Sequence, residues 1–71
     1  MPPSFASALQ EAQSDWMDLD GVEIVGEGDG EDGPVIDVFV SIPVEEAEER
    51  LPERFRGYPV VIHASGTISA Q

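Results

Sequence analysis

The stretch that decides the fold is VIDVFVSIPVEEAEERLPERFRGYPVVIHA, Val35 to Ala64. Its opening, Val35 to Ser41, is β-branched and aromatic, the composition of a pleated, half-buried strand. Pro43 has the fixed φ that suits a first helical turn. Val44 to Leu51 reads as the helix. Glu45 and Glu46 sit where the helix dipole favours negative charge, and Val44, Ala47 and Leu51 form an apolar stripe. Pro52 stops it, because the residue before a proline is pushed out of the α region. Tyr58 to Ala64 is a second β-prone run. Strand, helix and strand make a β-α-β unit, whose crossover is expected to be right-handed.

Outward from this unit the signals are simpler. Val22 to Gly26 predicts a short strand. The run Gly26 to Pro34, GEGDGEDGP, predicts a flexible hairpin loop over 27–34. Phe5, Leu9, Ala12 and Trp16 share one helical face, which predicts a helix from Phe5 to Asp15 with Ser4 as its N-cap. Asp18-Leu19-Asp20-Gly21 breaks it. Residues 1–3 and 69–71 are expected to fray, and Thr67-Ile68 to add a little extended chain. The whole predicts one small α+β domain over 1–71, of order α-β-β-α-β. Its mixed three-stranded sheet carries both helices on one face. Val35 to Ser41 is expected in the middle; the alternative order sets the third strand beside the first.

Composition bounds the function. Seventy-one residues allow one small core, and without cysteine there are no disulfides or thiolate metal sites. Fifteen acids face three arginines and no lysine, for a net charge of -12. Such a chain repels itself at low ionic strength. At about 1 M salt the Debye length falls to about 3 Å and the repulsion fades. The acids are spread along the whole sequence, which points to a halophilic source; the alternative is docking on a basic partner. With no basic stripe, binding to nucleic acid or an anionic membrane is not expected. No apolar run approaches the ~20 residues of a bilayer span, and the N-terminus lacks a basic signal region. The expected location is cytoplasmic.

The glycine-rich run, the Val35 to Val40 strand, the acidic helix and then Leu51-Pro52-x-x-Phe55-x-Gly57-Tyr58-Pro59-Val60-Val61-Ile62 with Gly66 and Ile68 form a pattern. From Val22 to Ile68 it resembles a family of small bacterial and archaeal α+β domains of uncharacterised function, found alone or ahead of trypsin-like peptidase domains. The resemblance implies a fold and, through the company the family keeps, a regulatory or accessory role beside a peptidase. It implies no catalytic residue.

The chemical motifs are weak. Gly28-x-Gly30-x-x-Gly33 fits a dinucleotide pattern, but it opens onto Pro34 and a strand rather than a helix, beside acids that repel phosphate. Asp29, Glu31 and Asp32 could attract Ca²⁺ or Mg²⁺. Asp18, Asp20, Gly21 and Glu27 nearly match an EF-hand loop, but Trp16 stands where its first acid belongs. No metal or cofactor is expected. His63, with Asp37 and Ser41 or Ser65, lacks a nucleophile elbow, so no catalytic residue is assigned. An enzyme would need a site assembled across an oligomer interface. Glu45, Glu46, Glu48 and Glu49 read as a solvated face, relieved by Arg50 four residues after Glu46.

Candidate interface residues remain. Arg54, Arg56 and Tyr58 cluster, and Arg and Tyr are favoured at hot spots. Simple alternation turns Val22, Ile24, Ile36, Val38, Val40, Val60 and Ile62 toward the helices. It turns Glu23, Val25, Val35, Asp37, Phe39, Val61 and His63 outward. Val25, Val35, Phe39 and Val61 would then form an apolar patch on an open sheet face, or one covered by the chain's own ends. The leading expectation is a non-enzymatic interaction domain that docks on an unknown protein partner or on a second copy.

Overall fold

The computed structural model describes residues 4–64. Along the chain run α1 (Phe5–Trp16), β1 (Val22–Gly30), β2 (Gly33–Val40), α2 (Val44–Arg50), β3 (Arg54–Phe55) and β4 (Tyr58–Ala64). The fold is α+β with a mixed sheet of four strands in the order β1-β2-β4-β3, not three. The additional strand is β3. Phe55 pairs with Tyr58, and Arg56 and Gly57 take φ of 55° and 89° in the turn between them. Two successive positive φ values match the right-handed twist of a tight hairpin. The Val60 N–H donates to the Glu53 carbonyl at 2.8 Å and extends the pairing. The predicted frayed ends at 1–3 and 69–71, and Thr67-Ile68, lie outside the described residues.

β2 sits in the middle, as its composition requires. It pairs antiparallel with β1, to which the Glu31-Asp32 turn joins it, and parallel with β4, which it reaches through α2 and β3. Ile36, Val38 and Val40 are fully buried on one of its faces. Against that face pack Ala12 and Trp16 of α1, Ala47 of α2 and Leu51 just beyond it, in one core cluster. Both helices therefore lie on the same side of the sheet. α1 starts where the Ser4 hydroxyl accepts from the Ser7 N–H at 3.2 Å. It is held across the sheet by edge-on ring contacts, Phe5 to Tyr58 and Trp16 to Phe55, with centroids 5.1 and 5.0 Å apart.

Two expectations are corrected. The first concerns 27–34, which is not a flexible loop. β1 continues to Gly30, β2 begins at Gly33, and only Glu31 and Asp32 form the turn. Glycine and acid are poor strand formers, but pairing with β2 overrides that weak preference. Gly33 adopts φ 133°, which a side chain would strain.

The second concerns Val25, which points into the core and is 5% exposed, while Ile24 points outward at 56%. The cause is a bulge at Glu23. Val22 pairs with Val40, yet Ile24 pairs with the very next residue back, Phe39. One extra residue on β1 inverts the alternation for everything beyond it.

The bulge makes a quantitative contrast. Val25→Ala should cost about 2 kcal/mol, in the range of core truncations, whereas Ile24→Ala should stay within about 0.5 kcal/mol. Urea denaturation of both variants checks this; equal costs would mean the bulge is misplaced.

Candidate functional site

Among the described residues nothing covers the face of the sheet away from the helices, and pairing register fixes its occupants. Residues paired across strands share a face. Across the sheet, Ile24, Phe39 and His63 form one row, and Gly26, Asp37 and Val61 the next. Gly28 and Val35 of the third row continue through β4 to Pro59 and Arg54, which pair with each other. Of the four apolar residues expected outward, Phe39 and Val61 are here. Phe39 is half-buried and Val61 is 37% exposed. Val35 has the right parity, but at 7% exposure it is nearly buried. Val25 belongs to the other side, and Ile24 replaces it.

At the centre of this face is a polar pair. His63 Nε2 lies 3.1 Å from Asp37 Oδ1, and the Phe39 ring stacks on the imidazole at 4.8 Å with planes 21° apart. The parallel register that sets Phe39 beside His63 also sets Asp37, two residues earlier on the same face, within reach. The Asp37 carboxylate lies over Gly28. A Cβ there would fall 2.0 Å from Oδ2. The same test at Gly26 finds nothing within 4 Å. A side chain at Gly28 would therefore meet the carboxylate rather than backbone, and the carboxylate would have to turn aside. Histidine and carboxylate together are the base and orienting group of a nucleophilic triad. Ser41 leaves the strand beyond β2, its N–H bonded to the Gly21 carbonyl at 2.8 Å. Ser65 lies outside the described residues.

Below the third row is a shallow cleft of about 440 Å³ between the two hairpin turns. Val35 and Pro59 line it, with Glu31 and Asp32 on one turn and Arg54 and Gly57 near the other. The candidate interface residues at this end are engaged within the chain. Arg56 pairs with Glu11 at 2.7 Å and lies 5.3 Å from the centroid of the Phe55 ring. Arg54 donates to the Gly57 carbonyl at 3.1 Å. Tyr58 packs against Phe5 on the helix side. These contacts tie β3 and its turn to α1. Arg50 meets Glu46 at 2.7 Å, at the predicted spacing. Among the described residues no three His, Asp or Glu side chains cluster as metal ligands would, and no helix is long and apolar enough to cross a membrane.

Three features of the face escaped sequence reasoning: the exposure of Ile24, the pairing of Asp37 with His63, and the close approach of the Asp37 carboxylate to Gly28. The broken alternation in Val22-Glu23-Ile24-Val25 was the available signal for the first. The other two depend on strand register. No family model, curated protein or solved structure matches the chain.

The glycines offer a direct test. Gly28→Ala should displace the Asp37 carboxylate, separate it from His63 and cost about 1–2 kcal/mol through the lost hydrogen bond and local strain. Gly26→Ala should be neutral or slightly stabilising, within about 0.5 kcal/mol. Denaturation midpoints and the His63 ring-proton shifts read both effects; unchanged His63 shifts in Gly28→Ala would disprove the coupling.

Proposed function

We propose that this chain is a non-enzymatic interaction domain that docks on a protein partner through the open face of its sheet. The observation that carries the proposal is Ile24, 56% exposed beside Phe39 and Val61 on a face that neither helix covers. Clustered apolar side chains on a sheet face are the mark of a docking surface. The polar centre of the face suits burial too. Asp37 and His63 already satisfy each other, so less desolvation is left uncompensated when a partner excludes water. The reading commits to a different protein; a second copy would bring another -12 to the contact, a repulsion that only concentrated salt screens.

A photo-crosslinking residue at position 24 or 61, used in the source cell, tests this against the same residue at position 48 on α2. The expected result is a common protein captured from 24 and 61 and absent from 48. Ile24→Glu should weaken the purified pair at least about tenfold, as a charge buried without a partner does. Identical patterns from all three positions would overturn the proposal. So would a dimer in molar KCl that Ile24→Glu dissolves, since the face would then belong to a second copy.

The same proposal includes adaptation to molar salt. Apart from half-buried Asp37 and Glu46, every acid is exposed. The two Arg–Glu pairs are themselves surface pairs, which typically contribute about 0–1 kcal/mol each. Repulsion is therefore nearly uncompensated within the chain. The melting temperature should rise by several degrees between 0.1 M and 2 M KCl, about the change that 1 kcal/mol produces in a domain of this size. A flat or falling value would remove this part of the proposal.

A further inference from the structure

We infer that the outer edge of β1 takes up an extended basic segment of a partner by strand addition, with lysine or arginine of that segment opposite Glu27 and Asp29. The inference rests on the chain being an interaction domain, but it uses a surface other than the open face.

Two contacts establish which way the β1 backbone points. Gln13 Nε2 donates to the Val25 carbonyl at 3.0 Å, so that carbonyl faces away from β2. Backbone groups alternate sides along a strand, so the N–H and C=O of Glu27 and Asp29 face outward as well. Asp29 pairs with Pro34, which has no N–H to offer. That pair is therefore one of the non-hydrogen-bonded ones, in agreement. Among the described residues β1 pairs only with β2, so these groups form a sheet edge. Gln13 occupies the edge at Val25 and sets where added pairing must stop.

The side chains along the edge specify the guest. Glu27 is paired with Ile36, so both it and Asp29 stand on the helix side, and both are exposed. Gly26, Gly28 and Gly30 alternate with them on the open side. An added strand would meet carboxylates at alternate positions on one side and bare backbone on the other. Opposite-charge cross-strand pairs are favourable and like-charge pairs are not. The guest is then basic at alternate residues, with room for large apolar side chains in between, beside the glycines. A second copy of β1 is disfavoured by the same rule, since antiparallel pairing of two acidic edges sets acid near acid. Charge that guards an edge against self-pairing selects the opposite charge in a partner strand.

The test uses a short acetylated and amidated peptide alternating lysine and valine, in the lowest KCl concentration that keeps the chain folded. Backbone amide NMR should show shifts concentrated at Glu27, Gly28 and Asp29. The same peptide N-methylated at the residues that face β1 keeps its charge but loses the hydrogen bonds; it should bind about tenfold or more weakly, as loss of a few net hydrogen bonds implies. An alternating glutamate–valine peptide should not bind. E27K with D29K should abolish binding, while E48K with E49K, the same change of charge on exposed residues of α2, should leave it unchanged. Equal binding of the N-methylated peptide would show diffuse attraction alone and overturn the inference. Shifts centred on Phe39 and Val61 would overturn it as well, while leaving the open-face proposal standing. Loss of crosslinking from positions 24 and 61 with edge binding intact would do the reverse.

Discussion

The burial of one face of β2 is the constraint on which the rest of this molecule depends. Ile36, Val38 and Val40 are the largest fully buried side chains, and they lie on β2, one of the two strands bonded on both sides. Nothing else in the chain could replace them. There is no disulfide, and the arginine pairs are at the surface. α1 contributes two alanines and a tryptophan to burial, and α2 an alanine backed by Leu51. Small residues at the helix contacts let both helices sit close to the sheet. A core this thin needs two layers and no more, so the second face of the sheet is left to water or to a partner. The open face follows from the economy of the core.

How much of this was legible varied with the physics behind each element. α1, α2 and β4 were readable because their signals are local. The Phe5 to Trp16 spacing, the Ser4 cap, the acids after Pro43 and the β-branched run from Tyr58 each act within a few residues. β2 was placed centrally on the same ground. The second half of β1 was unreadable, because its strand state is imposed by its partner and its glycines argue for a turn. β3 is only Arg54–Phe55, and its turn puts arginine where asparagine would have signalled a hairpin. The bulge carried the largest consequence. Glu23 is an ordinary residue, yet by entering the strand as an extra it exchanged Ile24 and Val25 between faces. The set of residues expected to point outward was therefore partly wrong in membership, with Val25 inside and Ile24 in its place.

Register also explains why the site is chemically richer than its residues suggested. Asp37 and His63 are distant in sequence and, read alone, each is a rim residue. Parallel pairing of β2 with β4 brings them to hydrogen-bonding distance, and Phe39 then covers the ring. The arrangement also involves β1, where Gly28 leaves the Asp37 carboxylate the space a side chain would share. Glycine weakens a strand interior, so a chain with so small a core would not be expected to carry one there without a gain. The gain is a paired polar centre within an apolar rim.

Charge sets the terms on which such a face can be used. Exposed acids surround the domain, so approach of any acidic surface is opposed until salt shortens the reach of the repulsion. Apolar contact is affected in the opposite sense, because salts excluded from the surface strengthen burial. The proposed docking on the open face is therefore favoured where the rest of the surface is most screened. The β1 edge differs, since its hydrogen bonds are short-ranged and its carboxylates favour a basic guest most in low salt. One surface is suited to contact in concentrated salt and the other to selection by charge. They meet along Gly26, Gly28 and Gly30, where β1 presents backbone alone to both.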